Sequence, residues 1–421
     1  MIPCISIAIA LSLVSQCGTM QGPHHTLILI LFAILCTSFQ EVLWAQPSKA
    51  PAPGADDFLA GAYYYPWYAA PAQSEERGWM RQALRGRLTP RQLPALGVYS
   101  SRDPQVIGAH IEQSRRAGLD FWAVSWWGPG KREDRALRDH ILKHPQAESL
   151  QYAILYESTG RLGSFEQPNY DSLIPDFEYL NQHLFSHPQY LRIQGKPVVF
   201  LYLTRVYFRN RGQEALAALR SRFPNLYLIG DEVFGPGYRG AHAQPWDAVT
   251  AYDVYGQSFQ IEGATRKGLG RLLRSYQQAQ ESAHAVGTAF VPGIAPGYND
   301  RAVRQGHPGR PRYFTDEPDS REGDIFVSAI REVVVPMVDD QAERMFMITS
   351  FNEWYEDTQI EPTAGNQETT MLDDSDSGSY YTESDLYPDY GNLYLDLLKR
   401  ELVQAQASRE VTQVEESEAA P

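Results

Sequence analysis

Cysteine is nearly absent from this chain of 421 residues. Its three cysteines are Cys4, Cys17 and Cys36, so none lies beyond the first 36 residues. This excludes a disulfide framework, and any chemistry of a thiol, from the region that follows.

Basic residues are outnumbered by acidic ones. The chain has 37 Lys and Arg against 51 Asp and Glu, which gives a formal net charge of −14 and a pI near 5.2. Because no basic stripe is present to meet the phosphates of a nucleic acid, we expect no nucleic-acid partner. An acidic surface also disfavours binding to anionic membranes and polyanionic glycans.

Motifs of metal and cofactor chemistry are missing as well. The sequence has no H-E-x-x-H and no Cys/His cluster, which argues against zinc. It has no G-x-S-x-G for a serine nucleophile, and no G-x-G-x-x-G after the first predicted strand. The acidic run Asp373-Asp374-Ser375-Asp376 lacks the spacing of a calcium loop and is interpreted as a solvated loop. We therefore predict no metal and no cofactor.

The first 48 residues contain no Lys or Arg and one acidic residue, Glu41. Their second apolar run, 27–39, has the length of a signal-peptide core and is short for a membrane span, which needs roughly 20 residues. Residues 1–45 are therefore predicted to be a signal peptide, with a retained N-terminal anchor as the alternative. A translation start at Met20 would leave one signal of ordinary size. The protein would then be secreted or periplasmic, or anchored to a membrane by this segment.

After a Pro/Ala-rich linker at 46–57, apolar runs alternate with longer amphipathic stretches. Such strands, separated by helices, indicate a parallel sheet buried on both faces. The predicted fold is α/β, a (β/α)8 TIM barrel with long strand-to-helix loops in a single domain over 58–402; a doubly wound open sheet is the main alternative. The acidic tail, 403–421, is predicted to be disordered. Strands are predicted at 59–64, 119–125, 152–156, 198–203, 226–230, 248–251, 289–294 and 346–350, and helices at 104–117, 133–143, 171–184, 213–222, 269–286 and 325–335.

The stretch 345–362 combines an apolar run of strand-forming residues with a polar cluster that contains Glu353 and Glu356. These two residues, three positions apart, can point into the same space. Glycoside hydrolysis usually needs two carboxyls across one bond. The alternative is a solvated helix face, which the neighbouring Asn352, Trp354 and Tyr355 disfavour. On the residues alone, both interpretations stay open.

Aromatic and acidic residues recur at the predicted C-terminal ends of the strands, where a barrel enzyme builds its active site. Aromatic rings stack on the apolar faces of sugars, although any single ring can be purely structural. Their repetition from strand to strand favours a carbohydrate-active enzyme. They occur in the runs 63–68, 125–127, 156–157, 231–232, 252–253 and 296–299 and at Tyr202.

Five segments of the chain occur together in one order: YYYPWY at 63–68, LGVYSSRDP at 96–104, VSW at 124–126, PGIAPGY at 292–298 and ITSFNEWYEDTQIE at 348–361. In these segments the chain resembles glycoside hydrolase family 99, the endo-α-1,2-mannosidases and mannanases. The resemblance spans roughly residues 58–400, and its last segment is long and specific. It implies a (β/α)8 barrel, in agreement with the strand pattern.

The resemblance implies that Glu356 is the general acid and that Glu353 removes the proton from the 2-hydroxyl of the sugar. A 1,2-anhydro sugar would form, and configuration would be retained. Glu157, Tyr202 and Tyr252 match family positions that line the −1 and −2 sugars, and Trp126 matches a stacking face. The predicted substrate-binding residues are Tyr64, Trp126, Glu157, Tyr202, Tyr252, Tyr298, Asn352, Trp354 and Tyr355.

The chain departs from the family pattern in three places. The family usually has His at the position of Tyr355 and Gly at that of Asp357, and the loop 69–94 lacks the family's His-Trp segment. Tyr355 could still donate a hydrogen bond, whereas Asp357 is expected to add a third charge near the pair. These departures leave the exact glycan open.

The predicted function is a retaining endo-α-glycosidase that cleaves internal α-1,2-mannosidic bonds in mannan or high-mannose glycans. One alternative is the same fold acting on a different α-linked glycan. Another is a non-catalytic sugar-binding or polysaccharide-assembly protein. The expected partner is an oligosaccharide or polysaccharide, and a membrane only if the N-terminal segment is retained.

Overall fold

The computed structural model of the protein describes residues 58–69, 78–365 and 381–419. The predicted N-terminal segment 1–45, the linker 46–57 and the acidic run 373–376 lie outside the described residues. None of the helices in these ranges combines the length and the hydropathy that a membrane crossing requires.

The sheet is a ring of parallel strands. The strands of the described ranges are β1 (Leu59–Tyr64), β2 (Phe121–Trp126), β3 (Gln151–Tyr156), β4 (Arg192–Ile193), β5 (Lys196–Leu201), β6 (Tyr227–Asp231), β7 (Ala248–Thr250), β8 (Ala289–Phe290), β9 (Gly293–Ile294) and β10 (Met345–Ile348). Their hydrogen-bonded order is β8-β7-β6-β5-β3-β2-β1-β10-β9, and β4 adds a short antiparallel edge to β5.

The ring closes through an interrupted strand. β8 pairs with β7 and β9 pairs with β10, although only Val291 and Pro292 separate β8 from β9. Val291 donates to the Val249 carbonyl at 2.9 Å, and the Pro292 carbonyl accepts from Met347 at 2.9 Å. Since proline has no N–H to donate, the ladder is broken there without a break in the chain. The predicted strand 289–294 therefore appears as two pieces of one barrel strand, and the (β/α)8 barrel is confirmed.

Side chains alternate between two apolar layers along each strand. In β1, Leu59 and Tyr63 point into the barrel, while Ala60 and Tyr64 face the surrounding helices. Both layers are buried, which explains why these strands are apolar at nearly every position.

Helices surround the barrel, and the predicted helices 104–117 and 213–222 are found with the same bounds. Of the remaining predicted helices, 325–335 is divided into shorter helical pieces. The α-helices of the described ranges are Pro104–Ala117, Arg132–Arg135, Ser158–Arg161, Leu173–His183, Thr204–Tyr207, Gln213–Arg222, Gly240–Ala243, Phe259–Glu262, Arg266–His284, Asp324–Ala329, Val335–Met337 and Leu393–Ala419, with π-helical turns at Ala136–Ile141 and Ile330–Val334 and 3-10 turns at Trp79–Gln82, Arg85–Arg87, Ala147–Ser149 and Asp340–Ala342.

The last helix, Leu393–Ala419, differs from the predicted disordered tail at 403–421. Its first turns bury Tyr394 and Leu398, and Glu401 accepts hydrogen bonds from Arg331, the shorter at 2.6 Å. Packing of these turns against the barrel starts a helix that continues into the polar segment. Composition alone indicated disorder because the anchoring contacts are distant in sequence.

A substitution at Gly61 of β1 would test how tightly the barrel interior is packed. A Cβ at this position would lie 2.1 Å from Cζ of the Phe121 ring. We expect Gly61→Ala to lower the free energy of unfolding by roughly 1–3 kcal/mol, because the ring cannot move without displacing its neighbours. Urea denaturation measures the change.

Gly270 provides the matched control, since it lies inside the helix Arg266–His284. There a Cβ meets only the flexible end of Arg274, at 3.4 Å. Gly270→Ala should raise stability by about 0.5–1 kcal/mol through helix propensity. If the two variants behaved alike, the packing argument for Gly61 would fail.

Candidate active site

The chain leaves β10 and forms a compact turn over the C-terminal mouth of the barrel. The Ser350 N–H donates to the Thr358 carbonyl at 2.8 Å, and the Ser350 hydroxyl accepts from the Glu353 N–H at 2.7 Å. Residues 351–359 contain no helix. The alternative of a solvated helix face for Glu353 and Glu356 is therefore wrong.

Glu353 is buried in this turn, with only 2% of its surface exposed. Its Oε1 accepts the Tyr355 N–H at 2.8 Å. Burial, and then the nearby charge of Glu356, raise the pKa of Glu353 well above its usual range. Both effects favour the protonated form of this carboxyl.

Glu356 is more open, with 19% of its side chain exposed. Its Oε2 accepts a hydrogen bond from the Tyr252 hydroxyl at 3.3 Å, and that hydroxyl accepts one from Tyr65 at 2.6 Å. Burial raises the pKa of Glu356, whereas Arg304, whose Nη1 lies 3.3 Å from Oε1, opposes the rise. The two carboxyls thus occupy different environments while repelling each other.

A third carboxyl belongs to the same site. Glu157, at the end of β3, is buried and accepts a hydrogen bond of 2.6 Å from the Ser125 hydroxyl. Burial raises the pKa of Glu157 to about 8, with the charge of Glu356 contributing in the same direction. Glu157 therefore carries a proton at neutral pH.

A cavity of about 240 Å³ opens beside Glu356. Tyr202, Tyr252 and Tyr298, all predicted to bind substrate, line it together with Glu356. Tyr202 packs edge-on against Tyr252, with ring centroids 5.1 Å apart. The structure thus brings these four residues together from four different strand ends.

Three aromatic rings, from Trp67, Trp127 and Tyr355, form a partly exposed surface at the mouth of the barrel. The Trp67 ring stacks on Tyr355 with centroids 5.7 Å apart and lies 6.3 Å from Trp127. Trp67 and Trp127 occur in the runs that sequence analysis singled out but were not chosen as binding residues. Strand alternation was the available signal, because it turns Trp126 outward and leaves Trp127 at the rim.

The prediction that Tyr64 and Trp126 bind substrate is wrong, because both side chains point away from the barrel interior. The Tyr64 ring stacks on Trp122 with centroids 4.0 Å apart, and its hydroxyl lies 3.0 Å from His110 Nδ1. Trp126 donates through Nε1 to Asp134 at 3.1 Å. Both side chains are fully buried between sheet and helices, so the structure does not place them where a sugar can reach.

Asn352 and Trp354 are also buried, and they hold the loops of the site together. The Asn352 side chain accepts the Tyr65 N–H at 2.7 Å and donates to the Tyr65 carbonyl at 3.1 Å. Trp354 donates through Nε1 to Glu361 at 2.7 Å. Their contacts are those of residues that position the site, unlike the sugar-binding role predicted for them.

Asp357 does not add a third charge beside the pair, as the sequence led us to expect. Its Oδ1 accepts a hydrogen bond from Nε of Arg85 at 2.7 Å and lies 3.2 Å from Nη2 of Arg312. All three side chains are buried, and Glu322 lies 3.6 Å from Arg85. The carboxylate is thus neutralised by a buried charge network that ties the turn to the loop containing Arg85.

Within the described residues, no group of three or more His, Cys, Asp or Glu side chains is arranged to hold a metal ion. The ionisable groups that the site brings together are carboxyls and tyrosine hydroxyls. Paired buried carboxyls beside a cavity can transfer protons to and from a bound molecule.

Comparison with known proteins gives consistent matches. The model of glycosyl hydrolase family 99 matches residues 55–390. Glycoprotein endo-α-1,2-mannosidase of Mus musculus is 21% identical over 384 residues, covering 82% of this chain and 74% of the mouse protein. The human protein named glycoprotein endo-α-1,2-mannosidase-like is 24% identical over 381 residues, covering 80% of this chain and 74% of the human protein.

A solved structure, the GH99 endo-α-mannosidase of Bacteroides thetaiotaomicron, has the same fold. It superposes with a TM-score of 0.59 at 22% identity and covers 84% of this chain and 99% of the bacterial one. The barrel and its long loops thus follow a known architecture.

The buried charge network predicts a large effect of Arg85→Met. Removing this guanidinium leaves Asp357 without its shortest ion pair in a buried site. We expect a loss of about 3–5 kcal/mol in the free energy of unfolding, measured in urea. Arg115→Met, at an exposed ion pair with Glu112, should cost about 1 kcal/mol or less. A double-mutant cycle with Asp357→Asn that showed no coupling would contradict the network.

The raised pKa of Glu157 predicts a pH dependence of stability. The group titrates at its ordinary value of 4.5 when unfolded and at about 8 when folded, so the folded state binds more protons between these values. The free energy of unfolding should therefore fall as pH rises from 5 to 8. Glu157→Gln should reduce this fall, whereas the exposed Glu214→Gln should not. Equal slopes in all three proteins would contradict the assignment; urea titrations at several pH values measure them.

Proposed function

Because the chain belongs to glycosyl hydrolase family 99, and is therefore a glycoside hydrolase, we propose that it is a retaining endo-α-mannosidase. Its substrate would be an internal α-1,2 bond of mannan or of a high-mannose glycan. The observation that carries the proposal is the pair Glu353 and Glu356 in one turn at the mouth of the barrel, with Glu353 buried and Glu356 facing the cavity. The names of its relatives point to the same linkage.

Glu356 acts as the general acid in this mechanism. It lines the cavity, and its burial favours the protonated form that donates to a departing glycosidic oxygen. Arg304 lies on the exposed rim and favours the ionised form. A sugar that separates Arg304 from Glu356 would remove this counter-charge and raise the pKa of the acid.

Glu353 acts as the base. With Oε1 held by the Tyr355 N–H, its other oxygen takes the proton of the 2-hydroxyl. The 2-oxygen then attacks C1, the bond from C1 to the leaving oxygen breaks, and Glu356 supplies the proton to that oxygen. Water, deprotonated by Glu356, opens the resulting 1,2-anhydro sugar at C1, and Glu353 returns its proton to O2. Two inversions at C1 give overall retention.

The pair needs one shared proton for this cycle. Repulsion between the carboxylates opposes the doubly ionised state, so the pair retains a proton to higher pH than two separate carboxyls would. Substrate binding then decides which carboxyl holds it, because the sugar hydroxyl approaches Glu353 and the leaving oxygen approaches Glu356.

Sugar contacts would come from two surfaces. Tyr202, Tyr252 and Tyr298 line the cavity beside the acid. Trp67 and Trp127 offer partly exposed rings on which the apolar face of a sugar can stack. A glycan that contacted both surfaces would have to be a chain of several sugars, as the substrate of an endo-acting enzyme is.

The altered residue Tyr355 and the altered loop 69–94 favour a second candidate within the same reaction class, cleavage of a different α-linked glycan. Tyr355 belongs to the aromatic surface, so its identity affects which sugar is accepted. A non-catalytic sugar-binding protein is a weaker candidate, since both carboxyls are present. Secretion or export to the periplasm stays a proposal that rests on residues 1–45.

Digestion of α-mannan and high-mannose glycans, with products sized and their anomer assigned by NMR, tests the activity. A released oligosaccharide of retained α-configuration is the expected result. Binding without any cleavage across a panel of α-linked glycans would instead support the non-catalytic candidate.

Substitution of the two carboxyls distinguishes their roles. Glu356→Gln should lower kcat/KM on mannan by about 10²–10⁴-fold, but less on an aryl glycoside whose leaving group needs no proton. Glu353→Gln should impair both substrates, because the 2-hydroxyl must be deprotonated in either case. The exposed Glu214→Gln serves as control. If both variants lost activity equally on both substrates, the division of roles would be wrong.

A further inference from the structure

The cavity beside Glu356 is lined by several cationic groups, although the chain as a whole has a net charge of −14. Arg205 follows β5, while Arg304 and Arg310 come from the long connection after β9. His307 of the same connection also lines the cavity. These residues converge from two separate segments of the chain.

Arg205 has hydrogen-bonding capacity that the protein does not use. Its Nη1 is buried, yet no hydrogen-bond partner for it exists within the described ranges. Arg205 forms a long ion pair with Asp231, whose Oδ2 lies 3.8 Å from Nη1. The two oxygens of Asp231 accept the N–H groups of Tyr252 and Leu203, at 2.8 and 2.9 Å. Arg205 therefore lines the cavity with a donor atom, Nη1, that makes no hydrogen bond within the described ranges.

Arg310 is similar. Within the described residues its guanidinium donates to the carbonyl of its neighbour Gly309 and forms no ion pair. Glu383 and Asp385 act on it from farther away, and burial lowers its pKa. The fully buried Arg85 and Arg312, by contrast, both contact the carboxylate of Asp357.

Fewer acidic than cationic side chains line the cavity. Asp253 and Glu356 line it, and Glu356 lies 3.3 Å from Arg304. Asp300 lies behind the wall, where it accepts from Arg304 at 2.5 Å. Arg304 is therefore already paired, whereas Arg205 has only a longer ion pair with Asp231 and Arg310 has none within the described residues.

We infer that this cavity binds an anionic substituent of the glycan, a carboxylate of a uronic acid or a phosphate or sulfate ester, next to the bond that is cleaved. The inference rests on the proposed function and specifies its substrate class. Guanidinium groups bind such anions through paired hydrogen bonds, and desolvation in a cavity strengthens them. An acidic surface disfavours a polyanion, but it does not prevent one anionic group from entering a cationic cavity.

The test compares matched neutral and anionic glycans. Cleavage rates and calorimetric affinities are measured for neutral α-mannan oligosaccharides and for the same chains carrying a phosphate, a sulfate or a uronic acid. We expect kcat/KM and affinity to favour one anionic form by about tenfold or more at low salt, and the preference to shrink as salt is added. The preferred form identifies the anion.

Arg205→Gln and Arg310→Gln should each reduce the ratio of anionic to neutral kcat/KM by about tenfold. Arg116→Gln, at an exposed position on the helix Pro104–Ala117, should leave the ratio unchanged. A wild-type protein that cleaved neutral and anionic glycans equally would overturn the inference and leave the proposed function intact. Equal loss on both glycans in the two variants would also overturn it.

If nothing were cleaved, the proposed function would fail, and the affinities would still decide the inference. A tighter affinity for an anionic form that depended on Arg205 and Arg310 would support it, and equal affinities would overturn it.

Discussion

Insertion of β10 between β1 and β9 is the constraint on which the site depends. It closes the barrel, and it delivers the turn that follows directly over the barrel mouth. The turn is then fixed to the segment that follows β1. The Phe351 N–H donates to the Tyr63 carbonyl at 2.8 Å, and the Asn352 side chain hydrogen-bonds to both the N–H and the carbonyl of Tyr65. The turn that carries the two carboxyls is thus placed by backbone pairing and by a buried amide.

A second feature of the molecule is that several acidic side chains are desolvated close to one another. Glu157, Glu353 and Glu356 lie close together in a chain that is already acidic, and desolvation raises the pKa of each. Such burial opposes stability at high pH, yet it keeps protons available where an acid catalyst needs them. Hydrogen bonds from Ser125 and from the Tyr355 N–H hold two of these carboxyls in place without neutralising them.

The charged side chains on the two sides of the turn after β10 differ in how they are paired. Behind it, Asp357 is enclosed by Arg85 and Arg312 and serves to anchor the loop. In front of it, Arg205 and Arg310 line a cavity. Arg205 has only a longer ion pair with Asp231, at 3.8 Å, and Arg310 has none within the described residues. Net charge of the whole chain therefore says little about the charge that a ligand meets, because local geometry decides which ions are already paired.

Periodicity and local propensity were enough to predict the strands, most helices and the barrel, because the apolar pattern of each strand and helix is set by residues close together along the chain. The tertiary structure alone decided the direction of individual side chains: a one-residue alternation separates buried Trp126 from Trp127 at the rim. It also decided that Asp357 turns toward Arg85, more than 270 residues away in sequence. The final helix, Leu393–Ala419, depends in the same way on contacts with distant segments. Sequence pattern reports which residues are present at a site, whereas long-range packing determines which of them face it.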